Sequence, residues 1–169
     1  CGNSHLHSER LNFYTHLCHR LIGKQTHPIV LVDWSPIEGS ELFQVIRASI
    51  PMGGRALTIY EKVHHESELN SNIAHQSFLD ALECCLPVGC KPIIISDAIF
   101  RVPWFKAVEE KGWYWLGRVR GNVMLSSNQK DWYRCHHWFS KATGKAKSLG
   151  KLFYSKSSIF TCHGFVYQG

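Results

Sequence analysis

The chain has 169 residues, of which 44% are hydrophobic and 12% aromatic, enough to fill the core of one ordinary domain. This composition excludes a disordered chain, and no apolar run approaches the roughly eighteen residues that a membrane span needs. The seven cysteines are an odd number, and Cys84 and Cys85 are adjacent. Both facts argue against a secreted disulfide framework and favour a reducing cytoplasm.

The net charge of +6 is unevenly distributed along the chain. Residues 1–32 carry +2, residues 33–97 carry −5 and residues 98–169 carry +9. This division is typical of an enzyme that binds metal in its acidic part and a polyanion in its basic part. A solvated basic surface explains the charge equally well, so charge alone leaves both interpretations open.

The first half of the chain predicts helices followed by antiparallel strands. Leucine and aromatic residues at helical spacing predict one or two helices over residues 5–22. Residues 29–34 predict the first strand, and residues 41–50 and 55–64 predict two more. Residues 51–54 connect these last two strands and are short enough for a hairpin.

The second half predicts alternating helices and strands. A helix is expected over residues 69–86, a fourth strand over 93–96, a short helix over 103–111 and a fifth strand over 113–120. The apolar stripe predicted for the first of these helices contains Ile73, Phe78, Leu82 and Leu86. Three antiparallel strands, a helix, a strand, a helix and a strand form the order of a ribonuclease H-like α/β fold with a mixed sheet and flanking helices.

Two apolar runs each end on an aspartate, Pro-Ile-Val-Leu-Val-Asp33 and Pro-Ile-Ile-Ile-Ser-Asp97. Such runs predict strands buried on both faces, and open α/β sheets place their chemistry where those strands end. In the predicted fold the two strands are neighbours at the sheet centre. Two carboxylates there predict a divalent-metal site, although aspartate also caps strand ends and the helices that follow them.

Four segments carry a family resemblance: HLHSERL, IVLVDWS, RASIPMGGRALTIYEKV and PIIISDAIFRVPWFKAVEEKGWYWLGRVRG. They resemble the catalytic core of bacterial cut-and-paste insertion-sequence transposases with an Asp-Asp-Glu triad. The resemblance extends from about residue 3 to residue 121 and includes the 64-residue separation of the two aspartates. It implies that Asp33 and Asp97 are the first two triad members, both catalytic and metal-binding.

The resemblance implies metal-dependent phosphoryl transfer on double-stranded DNA, at transposon ends and at the target. Mg²⁺ or Mn²⁺ would be the cofactor, held by hard oxygen ligands. A homo-oligomer and a nucleoid-associated protein of the bacterial cytoplasm, without a membrane partner, are expected. The expected domains are a helical lead-in (1–25), an incomplete catalytic core (26–121) and the start of a basic β-rich insertion (122–169).

The third triad member is not found in the sequence. The family places its Glu in a Tyr-x-x-Arg-x-x-x-Glu-x-x-x-x-x-x-Lys pattern, which does not occur here. Glu109 and Glu110 are expected on the solvent face of a helix. We therefore expect a chain truncated at both ends and inactive alone. The alternative is a non-catalytic basic nucleic-acid-binding domain derived from such an enzyme.

Arg118 and Arg120 are candidate DNA-binding residues. In the predicted fifth strand, alternation places both on one face, from which they would meet phosphate together. The strand is expected to form a hairpin with residues 123–125 through a turn at Gly121-Asn122. The alternative is a sheet edge protected by charge.

The remaining histidines, cysteines and aromatics favour structural roles. Cys135-His136-His137 with Cys162-His163, or Cys84-Cys85 with Cys90, would offer zinc ligands, but the spacing matches no zinc finger or knuckle. His64 and His65 are expected on the surface. Trp34 is expected in the core.

Overall fold

The computed structural model describes the backbone of residues 4–169 and the side chains from residue 9 onward. The α-helices are α1 (Ser4–Ile22), α2 (Asn72–Cys85) and α3 (Val102–Glu110). Two short 3-10 helices span Glu66–Glu68 and Cys135–Lys141. The strands are β1 (Ile29–Pro36), β2 (Phe43–Met52), β3 (Arg55–His65), β4 (Ile93–Ser96), β5 (Tyr114–Gly117), β6 (Met124–Ser126), β7 (Tyr133–Arg134), β8 (Lys147–Tyr154) and β9 (Phe160–Val166).

The chain divides into two compact units, with the boundary between Gly117 and Arg118. The first unit holds a five-stranded sheet in the order β3-β2-β1-β4-β5. β1 is antiparallel to β2 and β2 to β3, whereas β1 is parallel to β4 and β4 to β5. With the flanking helices, this mixed sheet confirms the predicted ribonuclease H-like fold, with β1 and β4 adjacent at its centre.

β2 and β3 form the predicted hairpin, but the connection is a two-residue turn rather than the predicted four residues 51–54. Met52 pairs with Arg55, which leaves only Gly53 and Gly54 in the loop. Their φ angles are 57° and 76°, the left-handed region in which glycine carries no steric penalty. A turn with both central residues at positive φ matches the right-handed twist of the flanking strands.

Helix α2 begins later than predicted, and three of the four residues of its predicted apolar stripe are buried. The Ser71 side chain accepts a hydrogen bond from the Ala74 backbone N–H and caps the helix at Asn72. Ile73 was predicted to be in the core, but it is 81% exposed, so that prediction was wrong. With the helix beginning at Asn72, the buried residues are Ala74, His75, Phe78, Leu79, Leu82 and Cys85.

The predicted fifth strand was too long, and its hairpin was wrong. β5 ends at Gly117, so Arg118 and Arg120 lie outside it, and the argument that one strand face presents both does not hold. Residues 124–126 pair with β7 and β8 in the other unit rather than with β5. At Gly117 a Cβ would lie 2.5 Å from the Phe105 ring, so this last strand position packs backbone against an aromatic side chain.

The second unit holds a four-stranded antiparallel sheet in the order β7-β6-β8-β9. The Cys135–Lys141 3-10 helix contributes Cys135 and Trp138 to its core. The buried sheet residues are Leu125, Ser126, Leu152, Tyr154, Phe160 and Val166. Among the helices that the structure describes, none is long and apolar enough to span a membrane.

Candidate active site

Asp33 lies where the parallel pairing at the sheet centre stops. The β1–β4 register ends with Val32 opposite Ser96, and from Asp33 onward β1 pairs only with β2. Val32 and Trp34 are buried on the face that packs against the helices, whereas Asp33 is exposed on the other face. The alternation of the strand therefore presents this carboxylate outside the core.

Asp97 is the residue directly after β4 and one position beyond the same ladder pair. It is half-buried, and its Oδ1 accepts a hydrogen bond of 2.7 Å from the Ile99 backbone N–H. The Asp97 carbonyl oxygen accepts a second bond from the Phe100 N–H at 3.3 Å. A tight turn thus holds the second aspartate beside the strand that carries the first.

The charge of Asp97 acts on the Asp33 carboxylate. The pKa of Asp33 is raised, chiefly because the surrounding protein removes part of its hydration although the side chain still meets solvent. The Trp34 backbone N–H opposes this shift, and the negative charge of Asp97 adds to it. A divalent cation offsets the repulsion between two carboxylates of like charge, so the chemistry of this pair would suit Mg²⁺ or Mn²⁺.

A match to a known protein family shows to which family the chain belongs. The sequence model of the transposase DDE domain matches residues 24–158, a span that contains Asp33 and Asp97. The chain belongs to this family. No curated protein and no solved structure gives a significant match.

The open face of the transposase sheet carries two charged residues beside Asp33. Arg47 is the residue opposite Asp33 on β2, and Glu61 is opposite Arg47 on β3. Arg47 Nε donates to Glu61 Oε2 at 2.8 Å, so this cation is already paired. Neither residue was predicted as part of a site, although alternation along the two predicted strands would have placed them on one face.

Behind the two aspartates, the helix-facing side of the transposase core holds histidines among aromatic rings. Trp34 is buried, as expected, but His64 is only 6% exposed, so its predicted surface position was wrong. The His64 ring meets Trp34 edge-on at 5.6 Å, and its Nδ1 lies 3.3 Å from Glu68 Oε2. The sequence contained no signal for this burial, because β3 alternation alone does not say which face the helices cover.

The other candidate residues from the sequence have surroundings of their own in the structure. In residues 4–169, as far as described, no three or more His, Cys, Asp and Glu side chains come together as a metal site. Glu110 is exposed, and Glu109 Oε1 accepts a 2.9 Å hydrogen bond from Trp115 Nε1. Arg118 and Arg120 are exposed in the second unit.

Proposed function

We propose that this transposase DDE domain cleaves and joins DNA strands, with Asp33 and Asp97 as two of its metal-binding catalytic carboxylates. The observation that carries the proposal is the position of both residues one step beyond the last pair of the central parallel ladder. Open α/β sheets bind their ligands at this edge. The raised pKa of Asp33, to which the charge of Asp97 contributes, supports a shared site.

Each aspartate has its own part in the proposed site. The Ile99 N–H engages Oδ1 of Asp97, so we assign the other oxygen, Oδ2, to the metal. Asp33 is exposed on the sheet face opposite the buried Val32 and Trp34, and we assign the approach of a DNA strand to that face. When bound, Mg²⁺ or Mn²⁺ would supply activation of water or a 3′-hydroxyl and stabilisation of the leaving oxygen.

We infer that a third carboxylate comes from outside residues 1–169. This rests on the missing Tyr-Arg-Glu-Lys spacing and on the engagement of Glu109 with Trp115. A site with two carboxylates would bind the metal weakly and position it poorly. In phosphoryl transfer, the protein contributes to catalysis mainly by positioning the reacting groups and stabilising charge. The 169-residue chain alone is therefore expected to show no strand cleavage.

The second unit is the proposed DNA-binding part. Residues 118–169 contain nine Lys or Arg residues and one acidic residue, a formal charge of +8. Arg118 and Arg120 are assigned to phosphate contacts with double-stranded DNA, at transposon ends and at the target. Pairing of two ends would need a homo-oligomer, which we include in the proposal.

The alternative function is a non-catalytic DNA-binding domain of the same family, which the same basic charge favours. Mn²⁺ binding and end cleavage separate the two functions. We expect Asp33→Asn and Asp97→Asn each to weaken Mn²⁺ binding by the 169-residue chain at least tenfold. In a longer chain carrying the Glu-containing helix, each is expected to abolish cleavage of a transposon-end duplex.

Asp131→Asn is the matched control, because it removes a carboxylate of the second unit that accepts from the Asn128 side chain. It should leave Mn²⁺ affinity and cleavage at wild-type values. Cleavage by the longer chain that survives either Asp33→Asn or Asp97→Asn would contradict the assignment. Intact Mn²⁺ binding by both variants would favour the non-catalytic function.

A further inference from the structure

His75, on α2, contacts the segments that carry both aspartates. It is 4% exposed and lies in the first turn of the helix. One of its neighbours is Trp34, the residue after Asp33, and another is Phe100, three residues after Asp97. A single side chain thus lies behind both parts of the proposed site.

The contact with β1 is a directional hydrogen bond. Trp34 Nε1 donates to His75 Nε2 at 3.2 Å, inside the core. A nitrogen that accepts cannot carry a proton, so the imidazole is neutral with its proton on Nδ1. Burial favours this neutral form and lowers the pKa of His75 to about 4. Because the bond fixes the indole on one sheet face, it also fixes the strand from which Asp33 projects on the other.

The contact with the turn after β4 is made by ring packing. The Phe100 ring stacks on the imidazole at 5.3 Å, and Trp104 meets it edge-on at 5.0 Å. Phe100 belongs to the turn whose backbone groups bond to Asp97. Movement of the imidazole would therefore be transmitted to the second aspartate as well.

We propose that His75 is a positioning residue that sets the separation of the Asp33 and Asp97 carboxylates. The inference rests on the proposed function of the aspartate pair. An apolar residue of the same size would fill the space but leave the Trp34 N–H buried without an acceptor. The chemistry that the position requires is a flat, neutral hydrogen-bond acceptor.

The test measures Mn²⁺ affinity of the 169-residue chain by the electron paramagnetic resonance signal of free Mn²⁺. His75→Phe keeps the ring packing and removes the acceptor, so the affinity should fall about tenfold. His75→Gln restores an acceptor oxygen and should stay within about threefold of wild type. Trp34→Phe should match His75→Phe, and the double variant should be no weaker than either single variant, because both remove the same bond.

Phe78→Leu is the matched control, since it disturbs a buried residue of the same helix that packs on Tyr60. It should lower stability and leave Mn²⁺ affinity unchanged. If His75→Phe does not fold, ¹⁵N spectra of the wild-type protein show which nitrogen of the His75 imidazole carries the proton. Protonated Nδ1 with an accepting Nε2 supports the inference, and protonated Nε2 overturns it.

The outcomes separate this inference from the proposed function. Weak binding in the aspartate variants together with wild-type affinity in His75→Phe would overturn the positioning role alone. Loss of affinity in Phe78→Leu equal to that in His75→Phe would also overturn it, because any core disturbance would then suffice. Mn²⁺ binding that is absent from wild type, or unchanged in both aspartate variants, would overturn both proposals.

Discussion

At the scale of single residues, the core of the first unit contains two buried histidines, His64 and His75. The side chains of His75 and His64 lie next to Trp34, and burial together with the hydrogen bond from the indole keeps His75 neutral. A buried neutral imidazole next to aromatic rings is stable only while it stays uncharged. The stability of the domain should therefore depend on pH through His75.

We predict that the free energy of unfolding falls by about 2 kcal/mol between pH 7 and pH 5 through His75. Its pKa is lowered from 6.5 to about 4, so in this range the unfolded chain binds the proton more readily than the folded chain. The contribution is present above pH 6.5 and is lost as the pH falls towards 4. Urea unfolding at several pH values measures it.

His75→Gln should flatten this pH dependence, because the amide does not titrate. His163→Gln is the control, since His163 is exposed on β9 and should leave the dependence unchanged. If the free energy of unfolding of His75→Gln falls between pH 7 and pH 5 as steeply as that of the wild type, groups other than His75 cause the pH dependence.

At the scale of secondary-structure elements, side chains from the helices determine where the strands can continue. Lys111, directly after α3, donates to Asp80 and Glu83 of α2 at 2.7 Å each, and these ion pairs hold α3 against α2. From α3, the Phe105 ring in turn lies over the β5 backbone at Gly117. The end of β5 is thus shaped by a helix that precedes it in sequence.

We predict that Gly117→Ala destabilises the first unit by about 1–3 kcal/mol, because the new Cβ would lie 2.5 Å from the Phe105 ring and force it to move. Gly144→Ala is the matched control, since nothing lies within 4 Å of its Cβ position. Urea unfolding measures both. Equal stabilities for the two variants would show that the ring moves aside at no cost.

At the scale of the whole molecule, the two units differ in charge. The acidic stretch from Asp33 to Asp97 lies in the first unit, and the formal charge of +8 lies in residues 118–169. Binding of a polyanion by the second unit should therefore release counterions and depend strongly on salt.

We predict that the affinity for duplex DNA falls linearly with salt on a double-logarithmic plot. Arg118→Ala with Arg120→Ala should weaken binding of all sequences alike and make this slope shallower by about two, one for each phosphate contact. Fluorescence anisotropy at several salt concentrations measures both effects. The control pair Arg20→Ala with Arg55→Ala removes the same charge from exposed positions of the first unit. If both double variants lose the same DNA affinity, the effect depends on net charge and not on Arg118 and Arg120 in particular.

The sequence by itself determined the order of the elements in the first unit, the β2–β3 hairpin and the two aspartates at the central strands. These features depend on local patterns: apolar runs four residues long, glycines at a turn and a carboxylate directly after a strand. The mixed sheet followed from that order, because the first and fourth strands of such a chain lie side by side. The role of the aspartates remains a prediction.

Only the tertiary structure decided which side chains the helices cover and where pairing stops. Ile73 is exposed and His64 buried because the covered faces of α2 and β3 depend on contacts between segments distant in sequence. Arg118 and Arg120 lie beyond the last β4–β5 pair, which ends at Gly117, and residues 124–126 pair with β7 and β8 instead of β5. His75 acquired its partners in the same way, since Trp34 and Phe100 reach it only once β1 and β4 lie side by side beneath α2.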